Sequence, residues 1–124
     1  MSQPLIDIGV NLSNNRFKED LNQVIERALA CHIQQLVLTG TSVEETQKVI
    51  AICDALKDKY PDTVFATAGI HPHDADEMNS GKLALLSALA DSDSVGAIGV
   101  TSLDFNRNYS SKVNQINAFE AQLE

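Results

Sequence analysis

Two imidazoles and a carboxylate stand close together in His71-Pro72-His73-Asp74. They follow the apolar run from Val64 to Ile70, which reads as a buried strand. The group therefore lies just past a strand's C-terminal end, the edge where α/β proteins bind ligands. Pro72 restricts the backbone of His71 to extended geometry, so the first ring is held. Two histidines at i, i+2 in a loop can aim nitrogens at one metal ion or one phosphate. The alternative is a polar loop with solvated rings. A second candidate is Asp7, a charge inside the apolar run Leu5–Val10. Such a charge is costly in a buried strand unless it is paired or functional. Cys31 and Cys53 fall in helical patterns at apolar-compatible positions and read as reduced core thiols.

The elements that must position these residues alternate. Leu5–Val10 reads as the first strand, and Phe17, Leu21, Val24, Ile25 and Ala28 recur at helical spacing after it. Residues 36–40 form the second strand. Ser42 and Glu45 form a capping box that opens a helix whose inner face carries Val49, Ile50, Cys53 and Leu56. Tyr60-Pro61-Asp62 stops that helix. The third strand leads to His71. Ser80 and Gly81 precede a third helix bearing Leu83, Leu86 and Leu89. The fourth strand covers 95–100, a polar loop covers 101–109, and Val113, Ile116, Phe119 and Leu123 sketch a fourth helix. Four strand–helix units in succession argue a parallel sheet with helices outside it. The apolar runs lack two-residue alternation, as expected of strands buried on both faces.

The 124 residues suit a single domain, 1–124, with a net charge of −8. An acidic chain has no general electrostatic footprint for nucleic acid, so such a partner would need local bridges. No apolar run is long enough to span a membrane and no secretory signal is visible, so the expectation is a cytoplasmic protein without a membrane partner. Two architectures remain open. One is an open four-stranded doubly wound parallel sheet. The other is the first half of a closed barrel, which needs about 250 residues. A half barrel leaves strand edges unpaired, and self-association through them is expected.

Four segments together resemble the TatD family of metal-dependent deoxyribonucleases. They are residues 7–12 (Asp-Ile-Gly-Val-Asn-Leu), 38–41 (Leu-Thr-Gly-Thr), 68–74 (Ala-Gly-Ile-His-Pro-His-Asp), and 97–99 with 103–108 (Leu-Asp-Phe-Asn-Arg-Asn). The resemblance implies a TIM barrel of the amidohydrolase type, here about four βα units forming its N-terminal half. It implies hydrolysis of DNA phosphodiesters from the 3′ end with Mg2+ or another divalent metal, and DNA as partner. A cation of that kind both activates water and neutralises the anion. Carried over by position, it offers Asp7, His71 and His73 as metal ligands, and His71, His73, Asn11, Asp104 and Arg107 as substrate contacts. Arg107 could equally be a solvated loop residue.

The sequence departs from the family at three places. Gly9 and Asn11 stand where many members carry His-x-His. Val100 stands where the family motif has a metal-binding Glu, and Ser102 where it has a second glycine. The chain stops before the family's later ligands. Three classes of function therefore remain: an active nuclease completed by another chain, a TatD-like fragment without activity, and an α/β interaction module. The three departures favour the fragment without activity.

Overall fold

Every second residue of the central strands is apolar and faces the same way, and that face gathers the helices. In the computed structural model, which describes residues 3–124, β1 (Leu5–Val10), β2 (Ile33–Leu38), β3 (Val64–Ala68) and β4 (Val95–Ile98) form one sheet in the order β1-β2-β3-β4. All three neighbouring pairs are parallel. The helices α1 (Leu21–Ala30), α2 (Val43–Leu56), α3 (Ser80–Ala90) and α4 (Lys112–Leu123) follow the strands in turn. Sequential parallel pairing with a helix in each connection is the βα repeat read from the sequence.

Leu36, Leu38, Val64 and Ala66 point into the main core, where Ile25 of α1 and Val49, Cys53 and Leu56 of α2 meet them. A smaller cluster joins Val43, Ala68, Ile70 and Leu86. Emptying such a position, as in Leu38→Ala, costs about 2–5 kcal/mol because a cavity is left behind. Burial deep among these groups pushes the Cys53 thiol up to about 12. Cys31 differs from expectation: it caps the end of α1 and is exposed.

The opposite face of the sheet is bare. In register, Ile8 pairs with Val37 and Val37 with Phe65, a row between the buried positions. Burial along β2 and β3 therefore alternates, contrary to the expectation of strands covered on both sides. Ile6 and Ile8 are 56% and 74% exposed. A doubly wound sheet would carry helices on this face too, so the open-sheet alternative is not what forms. The sheet is half of a barrel wall.

Local chemistry sets most element ends. Ser42 Oγ accepts from the Glu45 N–H at 3.1 Å, the first arm of the expected capping box. The return arm is replaced, because the Glu45 carboxylate accepts from Ser13 Oγ and Lys48 Nζ. Asn79 caps α3, so Ser80 and Gly81 lie inside its first turn rather than before it. Phe17 ends a short 3-10 turn, Asn15–Phe17, ahead of α1. The largest departure is α4. Val113, Ile116 and Leu123 face solvent, while Gln115 and Ala118 are buried.

Candidate functional site

The C-terminal strand ends open into one polar cleft of about 670 Å³. Asn11 and Ser13 reach it from the loop after β1, Thr41 from the loop after β2, and His71 from the loop after β3. Lys48 and Glu45 enter from the first turns of α2. Val100, just past β4, completes the lining. The loops are tied to one another: the His71 N–H donates to Thr41 O at 2.8 Å, and the Gly40 N–H to Thr67 Oγ1 at 3.2 Å. Gly40 has no alternative, since a Cβ there would lie 2.4 Å from both Thr46 Oγ1 and the Thr67 carbonyl.

Pro72 opens a 3-10 turn, Pro72–Glu77, with His71 as its cap. The His71 Nδ1 accepts the His73 N–H at 3.1 Å. A neutral ring so engaged carries its proton on Nε2. Burial, helped by His73, lowers the His71 pKa and holds the ring neutral. His71 therefore offers the cleft an N–H donor rather than a lone pair.

His73 lies edge-on to His71, with ring centroids 4.3 Å apart, and edge-on to Tyr109 on its other side. Its Nε2 meets Asp104 Oδ2 at 2.7 Å. The other Asp104 oxygen accepts the Asn106 and Arg107 N–H groups. The His73 contact, then those backbone donors, hold the Asp104 carboxyl below its ordinary range. Asp74 lies half-buried in the 3-10 turn, and burial raises its carboxyl. Arg107 is exposed, yet its charge reaches His71 and helps lower that pKa.

Two glutamines of α4, seven residues apart, hold these loops from behind. Gln115 is 1% exposed. It accepts the Asp104 N–H at 2.8 Å and donates to the carbonyls of Asp104 and Ser110. Gln122 accepts the Ile70 N–H at 2.7 Å and donates to the Ile70 carbonyl. Buried Ser110 donates to the His73 carbonyl and accepts the Asp76 N–H. Sequence reasoning missed Gln115, Gln122, Ser110, Lys48 and Glu45. Of these only Glu45 carries a sequence signal, its place in the Ser42–Glu45 capping box.

The sequence-predicted residues fall into two groups. His71 and Asn11 share the cleft, and the His73–Asp104 pair adjoins it through the two rings. Asp7 belongs to neither. It is in register with Leu36, whose side chain faces the helices, and it is exposed on that side of the sheet edge. Gly9, at φ +74°, then shifts the register before Val10, a conformation that glycine adopts without strain. Among the described residues no three His, Cys, Asp or Glu side chains form a group able to hold a metal ion. The expected trio Asp7, His71 and His73 is thus not assembled. His71 spends Nδ1 on a backbone donor, His73 gives Nε2 to Asp104, and Val100 supplies no donor. As arranged here, the donor set of the described residues does not fit a divalent cation.

Comparison with known proteins defines the class first. A TatD family hydrolase from Entamoeba histolytica superposes with a TM-score of 0.89 at 27% identity, over 98% of this chain and 45% of that one. An uncharacterized amidohydrolase from Saccharomyces cerevisiae gives 0.87 at 29% identity, over 98% and 43%. The fold is a partial α/β barrel of the TIM type. The sequence model described as TatD related DNase matches residues 6–124, and the chain belongs to that family. Two curated relatives, each named 3′-5′ ssDNA/RNA exonuclease TatD, are similar over 119 residues: the Dickeya dadantii protein at 45% identity and the Pectobacterium carotovorum protein at 41%. In both cases the match covers 96% of this chain and 44% of the relative, so the chain spans less than half their length.

Proposed function

We propose that this chain forms the substrate-holding half of a hydrolase that trims the 3′ ends of single-stranded DNA or RNA. One observation carries the reading: the family match runs through the whole cleft-bearing sheet, residues 6–124. The cleft chemistry agrees with it. A phosphate oxygen needs donors, and the cleft offers the His71 Nε2–H, the Asn11 amide, the Thr41 hydroxyl and the Lys48 ammonium. His73 and Asp104 fix the neighbouring loop, and Arg107 adds positive charge beside it. A chain of net charge −8 draws a polyanion only through such local contacts. A cytoplasmic location goes with this reading.

The family's divalent cation, Mg2+ or another, belongs to the proposal at the level of the family alone. Its chemistry in such enzymes is to make water nucleophilic and to neutralise the phosphate. Its ligands would have to come from outside the described residues.

The test is hydrolysis of 3′-end-labelled single-stranded DNA with Mg2+ or EDTA, beside His71→Ala. Cleavage that requires both metal and His71 supports the proposal. Cleavage indifferent to His71→Ala refutes it. A second reading is a holding module without hydrolysis, favoured by Val100 in the cleft. It predicts DNA binding by fluorescence anisotropy, with no product and with binding weakened by Lys48→Ala.

A further inference from the structure

Glu45 stands in the cleft wall with part of its capacity as an acceptor unused. Its Oε2 accepts from the Ser13 hydroxyl at 2.8 Å and its Oε1 from the Lys48 ammonium at 2.6 Å. The first bond joins the loop after β1 to the first turn of α2, so two elements fix the carboxylate. The Lys48 hydrogen bond foremost, with that of Ser13, holds the carboxyl below its ordinary range against partial burial, and at neutral pH it is charged. An ionised carboxylate offers about four acceptor positions and no donor. Ser13 and Lys48 use two. With the side chain 31% exposed, the others open on the cleft it lines.

Charge along the lining sorts what can lie against it. Among the described residues of the cleft wall, Glu45 carries the one negative charge and Lys48 the one ammonium, and the two are paired. His71 is held neutral. The wall is therefore neutral in sum, although the chain is acidic. A phosphate finds donors at His71, Asn11 and Thr41 but meets repulsion beside Glu45. The group that suits Glu45 is an uncharged donor. Single-stranded DNA carries phosphate on both sides of every interior sugar, whereas its 3′ end carries a free hydroxyl.

We propose that Glu45, held by Ser13 and Lys48, reads the free 3′ hydroxyl of a single strand and turns away a 3′ phosphate. This rests on the proposed function of the cleft, the holding of 3′ ends, and adds the group that tells an end from an interior linkage. Ser13 acts through Glu45 as a positioning residue.

The test is fluorescence anisotropy of a 5′-labelled single-stranded DNA with three different 3′ ends: hydroxyl, dideoxy and phosphate. EDTA is present to stop hydrolysis, so binding alone is read. The hydroxyl end is expected to bind tightest, the dideoxy end about tenfold more weakly and the phosphate end more weakly still. Glu45→Gln keeps the shape and removes the charge. It is expected to bring the hydroxyl and phosphate ends within about threefold of each other, with far-UV circular dichroism checking the fold. Equal binding of the three ends by the unmodified chain overturns the inference alone and leaves the substrate-holding reading standing. A ranking untouched by Glu45→Gln in the folded variant assigns the discrimination to another group and overturns it too. Tightest binding of the phosphate end overturns it in favour of Lys48 as an anion site. Binding of none of the three overturns both the inference and the function it rests on.

Discussion

His71 and His73 stand two residues apart, yet their rings have different tasks. His71 is turned by the His73 N–H so that its Nε2–H faces the cleft, while His73 is anchored to Asp104. Asp104→Ala removes the anchor, and faster amide exchange at Asn106 and Arg107, whose N–H groups lose their acceptor, is the expected outcome. Gln115→Leu is the stronger structural test. It keeps the side chain's bulk but strands the Asp104 N–H and two carbonyls in a buried place. A loss of about 1–3 kcal/mol in urea unfolding is expected, with the loop of Asp104 loosened. The histidine pair was legible in the sequence because Pro72 and the preceding apolar run bracket it. Asp104 reached the site through family resemblance alone, since 31 residues separate it from His73. Gln115 was not legible, because a buried glutamine looks like any surface residue until the backbone groups it satisfies are known.

At the scale of elements, α2 and α4 show opposite degrees of legibility. The inner face of α2 was readable because Val49, Ile50, Cys53 and Leu56 are apolar and all four are buried in the main core. On α4 Val113, Ile116 and Leu123 mark the outer surface, and the helix binds the loops through amides. Apolar periodicity finds the face that ought to be covered, and among the described residues nothing covers that face of α4. Gly40→Ala probes the junction of β2 and α2. The added methyl collides with the Thr67 carbonyl, which cannot rotate away. Overpacking of this kind costs about 1–3 kcal/mol, and a lowered thermal midpoint is the measurement. Ser42→Ala, which removes only the cap on Glu45 N–H, costs about 1 kcal/mol by the same assay.

For the molecule as a whole, the βα order was legible and the number of layers was not, because composition cannot tell a strand covered on two faces from one awaiting its second cover. The pH response also belongs here. His71 and Asp104 both have depressed folded values. Each therefore adds stability above its unfolded pKa and loses it as pH falls through the folded one. The loss begins near the ordinary histidine value of about 6.5 and continues through the ordinary aspartate value of about 3.9. Raised Asp74 acts in the opposite sense and offsets part of it. Thermal melts should therefore soften from neutral pH downward, and His71→Gln should flatten the upper part of that slope. The two cysteines have a practical consequence for following such changes. Cys31 is open to solvent, whereas Cys53 is 1% exposed with its thiol held far from ionisation. A thiol-specific reagent should therefore tag the chain in two separate bursts, the first at mixing and the second only when the core opens, so the unmodified protein carries its own clock for unfolding.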